Sequence, residues 1–206
     1  MARWYTEDGV RYPSVTTVLD IRNKPELNEW KLRVGAEEAW RRTSEATDRG
    51  TLIHQGIEDF LNNRSVWFGG EHSAYFDGFM GWYEKFAPTD ITVEITLISH
   101  EYKYAGRTDL VCKIDGEWWI IDFKTSKRFD PGMGLQLAAY RQAYQEQHNL
   151  SNMRMGIVQL TDEIKRGYRF KEYNEPFAIF KAHLDLFFWV ESHKPKKAED
   201  GFAVKI

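Results

Sequence analysis

Near Ile91 the apolar residues of this chain change their spacing, and that change limits the folds open to it. Upstream, Leu52, Ile53, Gly56, Ile57, Phe60 and Leu61 follow the three-four spacing of one helical face. Tyr75, Phe76, Phe79, Trp82, Tyr83 and Phe86 repeat that pattern before Pro88 closes it. Downstream, Val93, Ile95 and Leu97 alternate, as the two faces of a strand require. Leu110 to Ile114 and Trp118 to Phe123 read the same way, with Asp115-Gly116 as the turn between them. Three successive strands joined as hairpins are expected. After the loop Phe129-Asp130-Pro131-Gly132, the pattern predicts a helix from Leu135 to about His148. Strands over 155–160 and 167–173 and a last helix over 175–192 follow.

Helices dominate the first third. Ser14 is placed to cap a helix over 15–19, and Pro25 to start another that carries Leu27, Trp30, Leu32 and Val34 up to Gly35. The Arg49–Leu61 stretch is a further helix, ended by Asn62-Asn63-Arg64. The expected class is α/β: a central mixed β-sheet flanked by helices, with a helical N-terminal region. At 206 residues and 42% hydrophobic content the chain suits one domain over 1–206. Within it, 1–90 is mainly helical, 91–173 is the sheet core with its helix, and 174–206 is a C-terminal helix and a solvated tail at Lys194–Lys197.

A formal charge of −3 excludes a wholly basic binder, so any contact with nucleic acid must use a local groove. Cys112 is the only cysteine, which excludes an internal disulfide, a four-cysteine zinc site and a four-cysteine iron–sulphur cluster. The thiol reads as a small buried hydrophobe. No apolar run approaches the roughly 18 residues needed to cross a bilayer, and Met1-Ala2-Arg3-Trp4-Tyr5 lacks a signal-peptide core. A cytoplasmic protein without a membrane partner is expected.

The chemistry gathers around Asp122-Phe123-Lys124, at the polar end of Trp118-Trp119-Ile120-Ile121. Strand alternation aims Asp122 and Lys124 the same way and Phe123 into the opposite layer. Gly106-Arg107-Thr108-Asp109 supplies a second acid from the preceding strand. Two carboxylates suit a hard cation such as Mg²⁺, which keeps much of its water and accepts phosphate oxygens, so the implied substrate is a phosphodiester. His54 and Glu58 share a helix face, as do Gln136 and Tyr140 on the helix after the Asp122 strand. Each alone has a plainer reading: His54 as a packing residue, Asp109 as a turn cap, Gln136 and Tyr140 bonded to each other, Lys124 as a strand-end charge.

The order of these pieces, a helix with His54, a strand with Gly106-x-x-Asp109, a strand with Asp122-x-Lys124 and a helix with Gln136-x-x-x-Tyr140, resembles the RecB-like branch of the PD-(D/E)xK nuclease superfamily. The resemblance spans roughly 12–160, including Tyr12-Pro13-Ser14-Val15-Thr16-Thr17 and Arg49-Gly50-Thr51-Leu52-Ile53-His54. It implies a restriction-endonuclease-like core. It further implies that His54, Asp109, Asp122 and the Phe123 carbonyl bind Mg²⁺ or Mn²⁺, and that Lys124 orients or deprotonates the attacking water. Gln136 and Tyr140 would then position phosphate or the lysine, with Glu58 and Glu94 as additional acids. Iron–sulphur relatives need four cysteines that are missing here, and no Walker A pattern is present.

The resemblance therefore implies a compact exonuclease acting on DNA, as single strands or duplex ends, in recombination, repair or phage DNA processing. A phage origin would place it in the host cytoplasm. Arg33, Arg41, Arg42, Lys127 and Arg128 are candidate phosphate contacts, and Trp30, Trp40 and Tyr75 candidate stacking platforms, although aromatics at helical spacing are more often core. A homo-oligomer or a recombination partner protein is compatible with the family. Two alternatives remain: a non-catalytic DNA-binding partner on the same fold, and a restriction-type endonuclease.

Overall fold

The computed structural model describes residues 2–66, 70–163 and 165–194. A two-stranded hairpin, β1 (Trp4–Glu7) and β2 (Val10–Pro13), opens the chain, followed by helices α1 (Val15–Leu19), α2 (Pro25–Val34), α3 (Ala36–Leu61) and α4 (Ser73–Phe86). Then come β3 (Thr89–Ser99), β4 (Tyr104–Ile114), β5 (Glu117–Lys124), α5 (Gly132–His148), β6 (Arg154–Leu160), β7 (Tyr168–Tyr173) and α6 (Phe177–Ser192). The five long strands form one sheet in the order β3-β4-β5-β6-β7. Only β5 and β6 run parallel, joined by α5, so the sheet is mixed as expected.

Local signals account for most of these limits. Ser14 Oγ accepts from the Thr17 amide at 3.0 Å and caps α1. Pro25 starts α2, and Gly35, at φ 85°, separates it from α3. Asp115 and Gly116 both have positive φ, as a tight two-residue hairpin turn requires. Two elements depart from expectation. The β1–β2 hairpin was not foreseen, although Asp8-Gly9, at φ 48° and 77°, carries the same turn signal. Helix α3 begins at Ala36 because its exposed first half is laced by Glu38–Arg41, Glu38–Arg42 and Arg41–Glu45 pairs, which hold a helix without an apolar stripe. Of the expected tail, Lys194 pairs with Glu191, and residues 195–197 lie outside the described residues.

Each face of the sheet has its own core. Residues such as Val111, Ile120, Met155 and Ile157 pack on α1, α5 and α6, whereas Leu110, Ile121, Phe123 and Val158 pack on α3 and α4. Phe123 meets Phe79 and Trp82 edge-on at 5.5 and 5.6 Å between ring centroids. Cys112 is fully buried on the same side. Among the described residues, no helix is long and apolar enough to cross a membrane.

Gly106 is dictated by α5. A Cβ there would stand 2.3 Å from the Tyr140 ring, so only glycine lets the helix lie this close to β4. Gly106→Ala should therefore cost about 1–3 kcal/mol through overpacking. Urea denaturation measures it, and unchanged stability would show that Tyr140 can move aside freely.

Candidate functional site

Ladder pairing between β4 and β5 reaches Leu110 and Ile121 and goes no further. Beyond it, Asp122, Phe123 and Lys124 pair only with β6, and the two strands part. The Phe123 amide would otherwise be left unpaired at this point, and the Asp109 carboxylate takes it: Phe123 N donates to Asp109 Oδ2 at 2.7 Å. Asp109 Oδ1 lies 3.3 Å from His54 Nδ1 of α3. Its position is thus fixed from two sides.

The neighbouring strand is bent at the same level. Ile95 and Leu97 belong with the α5-side core, Val93 with the α4-side core, and Glu94 between them has φ 54°. In β4, Gly106 faces Tyr140, yet Leu110 packs on the α4 side, where strict alternation would put both on one face. Both strands change face at Glu94 and Asp109, between the paired positions Ile95–Thr108 and Val93–Leu110. A left-handed non-glycine residue in mid-strand costs of order 1–3 kcal/mol, and such strain concentrates at functional sites. Here it brings Glu94 to Asp109. One ligand atom each from His54, Glu94 and Asp109 lies within 4.8 Å of the others.

These three line a cleft of about 430 Å³ together with Glu58, Arg107 and Arg3. Arg107, not anticipated as a site residue, forms an ion pair with Glu94. It stands in the Gly106–Asp109 segment, where its charge next to an acid-rich face was the available signal. Thr108, beside it, has a buried hydroxyl without a hydrogen-bond partner.

Behind the cleft, Asp122 is buried and Lys124 Nζ lies 2.5 Å from its Oδ2. The ammonium partners that buried oxygen directly, as a charge-assisted contact. Gln136 Nε2 approaches Asp122 Oδ1 at 3.4 Å and donates to the Tyr140 hydroxyl at 2.8 Å. Strand alternation and α5 therefore assemble Asp122, Lys124, Gln136 and Tyr140 as the sequence suggested. The converging donor set of one imidazole and two carboxylates, His54, Glu94 and Asp109, fits a divalent cation, and Asp122 lies outside that group with Lys124 on its Oδ2.

Charges in this cluster shift one another. Burial pushes the Asp122 carboxyl up, with a further rise from the Asp109 charge, and Lys124 only partly opposes this. Burial also raises Glu94, aided by Asp109. For Asp109 burial works upward, but the combined pull of His54, Lys124 and the Phe123 amide wins and holds it low. Burial works against the His54 cation, yet Asp109 outweighs it and lifts the imidazole to about 9. Lys124 is likewise held above its ordinary value by Asp122 and Asp109, against its own burial.

The remaining candidates sit elsewhere. Arg41 and Arg42 are engaged with Glu38 and Glu45 on the exposed face of α3, and Lys127 with Glu163. Arg33 and Arg128 share a separate cavity with Trp30. Trp40 is exposed. Tyr75 takes the plainer of its two readings: it is buried, with the Arg49 guanidinium 5.4 Å from its ring centroid and its hydroxyl toward Asp162, so it is core and not an open stacking platform.

Fold and site together define an α/β protein with acids, an imidazole and a lysine gathered where two central strands part. The family model of the PD-(D/E)XK nuclease superfamily matches residues 37–199, and the chain belongs to that superfamily. Solved structures similar to this chain include two with the following likeness. SSO0001 shares 18% identity over 90% of this chain and 78% of that one, with a TM-score of 0.48. An alkaline exonuclease, LHK-Exo, from Laribacter hongkongensis shares 10% identity over 71% and 80%, with a TM-score of 0.43. The comparison with curated proteins gave no match.

The His54–Asp109 pair sets a pH dependence in metal-free protein. Because the folded imidazole titrates near 9 and an unfolded one near 6.5, its stabilisation is complete below about pH 6.5 and drains as pH rises through about 9. The loss should reach roughly 3 kcal/mol. Chemical denaturation between pH 6 and 9.5 measures it, and Asp109→Asn should flatten that segment of the profile. An equal slope in the variant would detach the effect from this pair.

Proposed function

We propose that this chain is a metal-dependent deoxyribonuclease that hydrolyses DNA phosphodiester bonds, acting as an exonuclease in recombination, repair or phage DNA processing. The observation that carries the reading is the joint placement of His54, Glu94 and Asp109 on one side of the strand divergence and Asp122 with Lys124 on the other. Membership of a nuclease superfamily supports it.

In this reading His54, Glu94, Asp109 and Asp122 hold Mg²⁺ or Mn²⁺, with the Phe123 carbonyl as a further ligand, and the imidazole favours Mn²⁺. A bound divalent cation supplies Lewis acidity toward phosphate and a water acidic enough to attack near neutral pH. The chain's own residues do the rest. Lys124, kept protonated by the two aspartates, serves as a cation: it orients the nucleophile and stabilises the negative charge that builds on the phosphate oxygens. Gln136 holds Asp122 Oδ1 and the Tyr140 hydroxyl together, so the carboxylate keeps its aim. Arg107 holds Glu94 toward the cleft.

Asp122→Asn should leave the fold intact and bring DNA degradation down to background, and Lys124→Ala should slow it about 100- to 10,000-fold. EDTA should stop the wild type, with Mn²⁺ or Mg²⁺ restoring it. End-labelled linear DNA and closed circles, followed on gels, check the exonuclease assignment, and rapid cutting of circles would overturn it. Wild-type protein that binds DNA but never cleaves it with either metal would point to a non-catalytic partner instead.

A further inference from the structure

The five basic positions that the sequence offered as phosphate contacts fall into two groups. Arg41, Arg42 and Lys127 are neutralised by adjacent carboxylates at 2.5 to 2.7 Å. Among the described residues, Arg33 and Arg128 have no ion pair, and they line one cavity of about 490 Å³ with Trp30, Leu27, Glu26 and Glu29. Helix α2 contributes all of these but Arg128, which comes from the loop between β5 and α5. That loop is tied down. Gln159 Nε2 donates to the Ser126 carbonyl at 2.6 Å, Ser126 Oγ donates to the Arg128 carbonyl at 3.1 Å, and Arg22 pairs with Asp130 at 2.8 Å.

Arg128 follows Lys124 by four residues, so its Cα lies within about 14 Å of the lysine backbone. The cavity therefore stands close to the place of cleavage. We propose that it binds one unpaired nucleotide of a single-stranded DNA, with the base against the Trp30 ring and the phosphate on Arg33 and Arg128. The inference rests on the nuclease reading and specifies its substrate. A base inside a duplex already has both faces covered by its neighbours, so a tryptophan platform selects single strands. Glu26 lies in the first turn of α2, where it complements the helix dipole. With Glu29 it offsets much of the arginine charge, so the site works by stacking and by short forked contacts to a phosphate, not by a strong field.

The test is binding in EDTA, where no turnover intervenes, read by fluorescence anisotropy of a short fluorescein-labelled oligothymidylate and of a blunt duplex. Single strand should bind more tightly than duplex. Trp30→Leu should weaken single-strand binding about 5- to 100-fold, while Trp30→Phe, which keeps a ring, retains most of it. Arg33→Gln and Arg128→Gln should each flatten the log–log salt slope by about 0.7. Equal affinity for duplex, or unchanged binding by Trp30→Leu and both arginine variants, would overturn the assignment. Degradation of DNA by the wild type with Mn²⁺ is scored separately, so a failed subsite and a failed nuclease reading give different results.

Discussion

A single backbone amide organises this site. Where β5 leaves β4 after Ile121, the amide of Phe123 loses its strand partner inside the protein, and a buried N–H must be satisfied. The Asp109 carboxylate satisfies it, which fixes one oxygen of that side chain and turns the other toward His54. Helix α3 must then cross the sheet at a height that brings the imidazole into reach. Its apolar positions Ile53 and Ile57 hold it there, within the aromatic layer that also receives Phe123. The geometry of the acids is thus a consequence of where a ladder stops.

Much of this was readable in the residues themselves. Alternation along Asp122-Phe123-Lys124 needed only the strand period, and the structure places Phe123 in one layer and its two neighbours in the other. The i, i+4 relation of Gln136 and Tyr140 needed only the helical period, and Gln136 donates both to the Tyr140 hydroxyl and to Asp122. What could not be read was any feature set by a departure from period. Glu94 stood one strand away from Asp109 with nothing local to mark its positive φ, and the change of face that carries it inward depends on two strands bending at one level. Glu94 entered only through the family resemblance, and Arg107 escaped notice altogether.

Surface charge was less legible than the site. Five basic positions looked alike in the sequence, yet whether a guanidinium is free depends on which carboxylates the helix brings beside it. Arg41 and Arg42 share Glu38 because three- and four-residue spacings meet on α3. Arg33, on the shorter α2, has Glu26 and Glu29 of its own helix in the same cavity but no ion pair with either, and a loop brings another arginine there. Tertiary placement separates cations that pair along a helix from cations that line a cavity.

The two faces of the sheet divide the work through side-chain size. On the α5 side, Gly106 and the small residues Ala138, Ala139 and Ala143 let the helix approach, and the Tyr104 hydroxyl donates to the Ala139 carbonyl at 2.7 Å to lock it. That close approach allows two medium-length side chains, Gln136 and Tyr140, to reach the plane of Asp122. On the α4 side the aromatic stack around Phe123 leaves that ring little freedom, and alternation passes the restraint to Asp122 and Lys124 on either side. A buried carboxylate raised by desolvation is costly to keep charged. A rigid frame that keeps a lysine beside it offsets the cost without letting the pair relax, so acid and base are held preorganised.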